Sequence, residues 1–365
     1  MSNRYLIDVS CGRENNLTFI RLVLACSVIY GHSYAISRQG GGDIVAQLTG
    51  YAFAGGVAVD LFFIISGFLV TASIINRGSL QYLVARALRI YPALILNMII
   101  VVFGIGTLSS SLDFQDYIRS DAVWSYFIGL ASTVKGGFFL PGVFEGNQNA
   151  AVNGSIWSVL IEVRLYIILA ILYMLGLLKS AFRFNIVFFF GVLFFWVNPD
   201  LLPEFASGRT GAHVCFLFFV GAFLYINRQT VPVGPFLLLI AFLLCAITLG
   251  TPKFEFAYIF LVIALFVNIC FGKQFSGFER IGDLSYGVYL YGWPMQQVCV
   301  MLVPDMSPLQ NTFFSIVLSL GFAYASWNLI EKRLIEKRDL VMAFLISIGG
   351  MLQLYLSKVI SIRKT

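Results

Sequence analysis

The chain has 365 residues, of which 59% are hydrophobic and only 12% charged, and its mean hydropathy is +0.86. A balance this apolar excludes an ordinary soluble domain and places the chain in a membrane. The formal charge of +6 is dispersed among hydrophobic stretches and not gathered in a patch, which fits membrane topology and argues against nucleic acid as a partner.

A bilayer core of about 30 Å takes roughly 20 apolar residues per helix. In chain order, the stretches that reach or approach this are 17–37, 56–75, 90–108, 155–178, 184–197, 211–226, 235–250, 255–272, 283–303 and 311–330. An eleventh, 340–357, follows a charged knot and is read either as a span or as a surface segment. The predicted fold class is all-α, a polytopic transmembrane bundle of 10 or 11 spans forming a single domain over 1–365. With a cytoplasmic N-terminus the inner connections hold fourteen Lys and Arg and the outer ones five, leaving aside those within spans and in the tail. That excess predicts a multi-pass protein with its N-terminus inside.

The first span carries Arg21 and His32, eleven positions apart, so they share one helix face to within about 20° and stand roughly 16 Å apart along the axis. Ionisable groups inside a membrane are functional by default, although Arg21 snorkelling to the interface and His32 packing as a satisfied polar residue is an equal reading of the pair alone. In the second span, Asp60 sits near the outer end, where it should meet water or a polar group and can orient an imidazole. At the start of the third, Arg86 and Arg89 are spaced i, i+3 and project from one side of a helix, an arrangement suited to polyphosphate, although spacing alone favours ordinary positive-inside anchoring.

The long outer connection, 109–154, is expected to be a structureless functional loop. After it comes Glu162, with Tyr166 one turn further along the same face and Arg164 turned away. A buried ion pair between helices is the plain alternative for both Asp60 and Glu162. The late cluster Glu331-Lys-Arg-Leu-Ile-Glu-Lys-Arg reads as a solvated or headgroup-contacting surface. Six scattered cysteines lack metal or redox spacing and are expected to pack, so no metal site is predicted.

Six segments in this order resemble the acyltransferase-3 family of bacterial membrane proteins. They are Arg21 with His32, Val59 to Phe68, Arg86 to Pro92, Asn153 to Tyr166, Ser285 to Pro294 and Ser326 to Lys332. The resemblance implies a sugar O-acetyltransferase of the bacterial inner membrane. Its donor would be cytoplasmic acetyl-CoA or another acyl-CoA, bound as substrate with no permanent cofactor, and its partners a saccharide acceptor and membrane lipid. On that resemblance His32, Asp60 and Glu162 are expected to be catalytic, His32 as base or as acyl carrier and Asp60 or Glu162 orienting its ring or stabilising its imidazolium, and Arg86, Arg89 and Arg21 are expected to bind the donor. Where many relatives carry a histidine in the late motif, this chain has Gly292. His213 falls in a segment without a family signature, which leaves His32 as the expected base. The competing class is a transporter or flippase for a glycan or lipid, whose intramembrane charges would line a path.

Overall fold

A computed structural model describes residues 4–10, 15–38, 40–344 and 347. Ten long helices occur where the ten apolar stretches predict them. They are α1 (Leu17–Ile36), α2 (Ala54–Arg77), α3 (Ser79–Ser109), α4 (Ile156–Met174), α5 (Ala181–Val197), α6 (Gly208–Ile226), α7 (Pro235–Thr248), α8 (Phe254–Ile269), α9 (Ser285–Leu302) and α10 (Pro308–Glu336). By length and composition α1, α2, α3, α4, α6 and α10 suffice to cross a membrane, while α5, α7 and α8 are apolar but shorter. The helix α9 carries Tyr, Trp, Pro and two Gln yet is buried along nearly its whole length, so it runs through the protein interior and not against lipid. The eleventh stretch, 340–357, lies largely outside the described residues.

Local chemistry sets the helix ends. The Asp43 carboxylate accepts from the amides of Val45 and Ala46 at the start of a short helix and from Ala54 at the head of α2, fixing the turn between α1 and α2. Helix α10 begins with a capping box, Ser307 with Gln310, and Pro308 in its first turn. Two helices contain a π-helical segment, Ile100–Gly106 in α3 and Trp327–Glu331 in α10. The outer connection is more ordered than expected, because it holds two short helices, Phe114–Arg119 and Asp121–Ala131. A two-stranded pairing of Arg4–Tyr5 with Pro232–Val233 is the one sheet among the described residues.

The core places α9 beside α1, α3 and α10. Arg21 meets Asp283 at the start of α9, and Gln296 near its end donates to Ile29 O and Ser33 Oγ, so α1 and α9 run in the same direction. Ser33 Oγ in turn donates to Asn311 Oδ1 of α10, and Thr312 donates to Ser33, a buried network that pairs polar groups of three helices and leaves Gln296 Oε1 without a partner among the described residues. Pro294 removes the amide that would bond Leu290 O, four residues back. Two side-chain amides replace it: Asn97 of α3 at 3.2 Å and Asn153 of the outer connection at 3.1 Å.

Candidate active site

The residues singled out in the sequence fall into three groups along the bundle. At one end, α1, α2, α3, α4 and α9 surround a cavity of about 100 Å³ whose polar lining includes Arg21, Ser66, Arg86, Arg89, Glu162 and Tyr166. One oxygen of Glu162 accepts from Ser66 Oγ at 2.6 Å and from Tyr166 OH at 2.5 Å. The spacing that put Glu162 and Tyr166 on one face thus brings them into contact. One turn before Glu162 on α4, Ser158 shares a hydrogen bond with Tyr289 of α9, whose hydroxyl also reaches Ser155 O. Arg164 is turned away, bonding Val134 O and lying over the Phe205 ring.

The two arginines of α3 differ. Arg89 is 15% exposed, stands 2.7 Å from Asp283 and 3.5 Å from Glu331, and is flanked by the rings of Tyr286 and Trp327. Its terminal nitrogens reach these carboxylates off the hydrogen-bond angles, so the pairing is electrostatic and not a bidentate fork. Asp283 is shared with Arg21 at 2.5 Å. Burial alone would raise the Asp283 carboxyl, but Arg21 and Arg89 hold it well below the usual carboxylate range. Arg86 has no carboxylate partner among the described residues; its guanidinium lies 6.0 Å from the centre of the Tyr166 ring and its Nε is buried without a hydrogen bond.

Glu331 corrects the sequence reading. Expected on a solvated surface, it is 2% exposed, receives a hydrogen bond from Ser326 at 2.8 Å and faces Arg89, whereas its neighbours Lys332 and Arg333 are exposed. The Trp327–Glu331 π segment is part of the reason, since residues one and two apart do not share a face of a regular helix and local widening resets which side chain points inward.

The second group lies towards the opposite end. His32 is edge-on to Trp293, with ring centres 4.8 Å apart, and 5.8 Å from Phe53. No hydrogen bond to its ring occurs among the described residues. Trp293 donates to Ala151 O, and Asn147 and Gln297 tie the outer connection to α9 above this site. Gly154 makes the closure possible, because a Cβ there would stand 2.6 Å from the Trp293 ring. Gly292, the position of the missing late histidine, faces Ile29, and a Cβ would meet Ile29 Cγ1 at 2.7 Å. Gly292→His is therefore expected to overpack α9 against α1 and cost roughly 1–3 kcal/mol, read as a lower thermal midpoint in detergent, and not to supply a second base.

The third group joins Asp60, singled out in the sequence, to two partners that were not, His213 and Tyr258. Asp60, 7% exposed, accepts from Tyr258 OH at 2.5 Å and lies 3.1 Å from His213 Nε2. Asp60 does meet an imidazole, but it is that of His213, and Glu162 belongs to the arginine cavity. The expectation that either carboxylate orients His32 is corrected accordingly. Asp60 follows Val59 and precedes Phe62 and Phe63, which line the cavity, yet its own side chain is turned towards α6 and α8. His213 carried no signal beyond being an isolated histidine in an apolar span. Among the described residues no group of His, Cys, Asp and Glu is arranged to hold a metal ion.

Comparison with known proteins assigns this bundle to the multi-pass membrane acyltransferases. The chain belongs to the acyltransferase-3 family, whose model, described as an acyltransferase domain, matches residues 14–328. It is similar to an O-acetyl transferase of Shigella phage Sf6, 28% identical over 343 residues that cover 89% of this chain and 97% of the relative. Nodulation protein 10 of Rhizobium leguminosarum bv. viciae is 31% identical over 177 residues, 45% of each chain, and an uncharacterized Haemophilus influenzae protein is 32% identical over 151 residues, 37% of this chain and 58% of the relative. No solved structure matches the chain significantly.

Proposed function

We propose that this enzyme is an O-acetyltransferase of the bacterial inner membrane, N-terminus inside, that moves an acetyl or other acyl group from cytoplasmic acyl-CoA to a hydroxyl of a cell-surface or secreted saccharide. The observation that carries this reading is the separation of two chemistries along α1. An arginine-lined cavity lies at one end and His32 at the other, roughly 16 Å away by helical rise. Arginine suits phosphate, and imidazole suits removal of a hydroxyl proton near neutral pH. The name of the phage Sf6 relative supports O-acetyl transfer in particular.

On this reading Arg86 attracts the donor phosphates, the pantetheine arm extends up the bundle, and the thioester meets the acceptor beside His32. As the acceptor oxygen forms its bond to the carbonyl carbon, His32 takes the hydroxyl proton. The carbon–sulfur bond breaks, and the departing thiolate takes up a proton in turn, so the products are the ester and free CoA. A relay in which the acyl group rests first on His32 uses the same placement. Arg21 and Arg89 shape the donor end through Asp283 and Glu331, and Glu162 with Ser66 and Tyr166 offers a polar wall to the arm.

The full chain, purified in detergent, should release CoA from acetyl-CoA when given the matching saccharide, and mass spectrometry of glycans from cells with and without the gene should differ by acetyl esters. Glycan movement across vesicles without CoA release would favour a flippase instead.

A further inference from the structure

We propose that a second cleft, between the end of α2, the start of α3 and the segment after α10, is an anion site for the 3′-phosphate of the acyl-CoA donor. The proposal rests on the acyl-CoA reading above and adds the part of the donor that lies furthest from the thioester. The cleft has a volume of about 340 Å³ and is lined by Arg77, Gln81, Arg338, Asp339, Met342 and Ala343.

Charge distinguishes this cleft from the cavity. Inside the bundle Arg21 and Arg89 are matched by Asp283 and Glu331. In the cleft, Arg77 has no ion-pair partner among the described residues, and both Arg338 and Arg86 are close enough to act on it electrostatically. The only acid in the lining, Asp339, is 89% exposed and 3.4 Å from Arg338, a geometry in which a pair contributes little. Three guanidinium groups from three parts of the chain therefore repel one another, and an anion between them would relieve that repulsion.

The backbone brings them together. Arg77 ends α2, and Gly78, with φ of +79°, lets α3 begin at the next residue. This hairpin without a loop places Arg77 and Gln81 at the same end of the bundle as Arg86, five residues further along α3. Gln81 adds an amide donor for a phosphate oxygen.

Plain anchoring by lipid headgroups would require arginines at this end, but not their convergence around one cleft next to Arg86. Acyl-CoA fits the order of the groups: its terminal phosphate is a monoester, its pyrophosphate comes next, and its arm leads to the thioester. The monoester would take the cleft, the pyrophosphate Arg86, and the arm the cavity. An anionic lipid headgroup shares the monoester chemistry, so the test separates the two sources.

The experiment measures binding of CoA and of dephospho-CoA to the full chain in detergent free of anionic lipid, for the natural protein, Arg77→Gln, Arg338→Gln and Arg77→Lys. A charge-assisted contact of this kind should make CoA bind at least roughly tenfold more tightly than dephospho-CoA. Arg77→Gln and Arg338→Gln should remove that preference while leaving dephospho-CoA binding unchanged, and Arg77→Lys should retain part of it. Equal binding of the two ligands by the natural protein, or an intact preference in both glutamine variants, would overturn the proposal while leaving the acyl-CoA reading in place. Failure of both ligands to bind would overturn both. Repeating the titration in nanodiscs containing phosphatidic acid supplies the last arm. If phosphatidic acid abolishes the preference for CoA and the glutamine variants lose binding of that lipid, the cleft is a headgroup site and the proposal fails.

Discussion

His32→Ala should lower acetyl transfer by on the order of 10²–10⁴-fold, the usual contribution of a general base, without unfolding the protein. The structure makes the second half of that expectation specific. The His32 ring touches Trp293 and Phe53 and makes no hydrogen bond among the described residues, so its removal leaves no buried polar partner stranded. The Trp293 indole keeps its bond to Ala151 O, and the Ser33 network below is untouched. Initial rates with acetyl-CoA and acceptor, set beside a thermal melt of the same preparation, check both halves. Undiminished transfer would remove His32 from the chemistry, whether as base or as acyl carrier.

The second large effect separates Arg86 from Arg89, which are three residues apart and read alike in the sequence. Arg89→Ala leaves Asp283 and Glu331 in place with one of their cations gone, and Glu331 is 2% exposed. Breaking a buried pair by removing one partner costs roughly 3–5 kcal/mol, so this variant should be recovered poorly and melt well below the natural protein. Arg86→Ala strands no carboxylate. Its melt should stay close to that of the natural protein while CoA binding weakens, on the order of tenfold or more for a lost charge-assisted contact. If the two variants proved alike in both stability and CoA affinity, the division of labour drawn here would be wrong.

Most of the fold was legible because hydrophobic length speaks directly to helix position: each of the ten stretches falls on a helix, although α3 begins at Ser79, well before the apolar stretch 90–108, because its first turns are polar, and α10 runs on to Glu336. Contacts on one helix face were legible too, as Glu162 with Tyr166 shows. The partners across helices were not. Asp60 was assigned to the wrong imidazole because nothing in a linear pattern states how far α2 is rotated, and a change of one residue in facing separates the cavity from the His213 side. Glu331 was misplaced for a different reason, since a π segment alters the periodicity on which inside and outside are read. Asp283 was not singled out, because it stands at the very first position of the predicted stretch 283–303, where a carboxylate at a helix entry is ordinary.

The junction at Leu290 ties distant parts of the sequence into one thermodynamic unit. Asn97, Asn153 and Pro294 come from three separate segments, yet all bear on a single carbonyl oxygen. Pro294 creates the vacancy and the two amides fill it, so the energetic value of each depends on the presence of the others. Changing either asparagine alone should cost more than changing it in a chain where position 294 again has an amide to offer. Such non-additivity means that variation at 97 or 153 among related chains is only interpretable together with position 294, and a substitution tolerated in one background can be damaging in another.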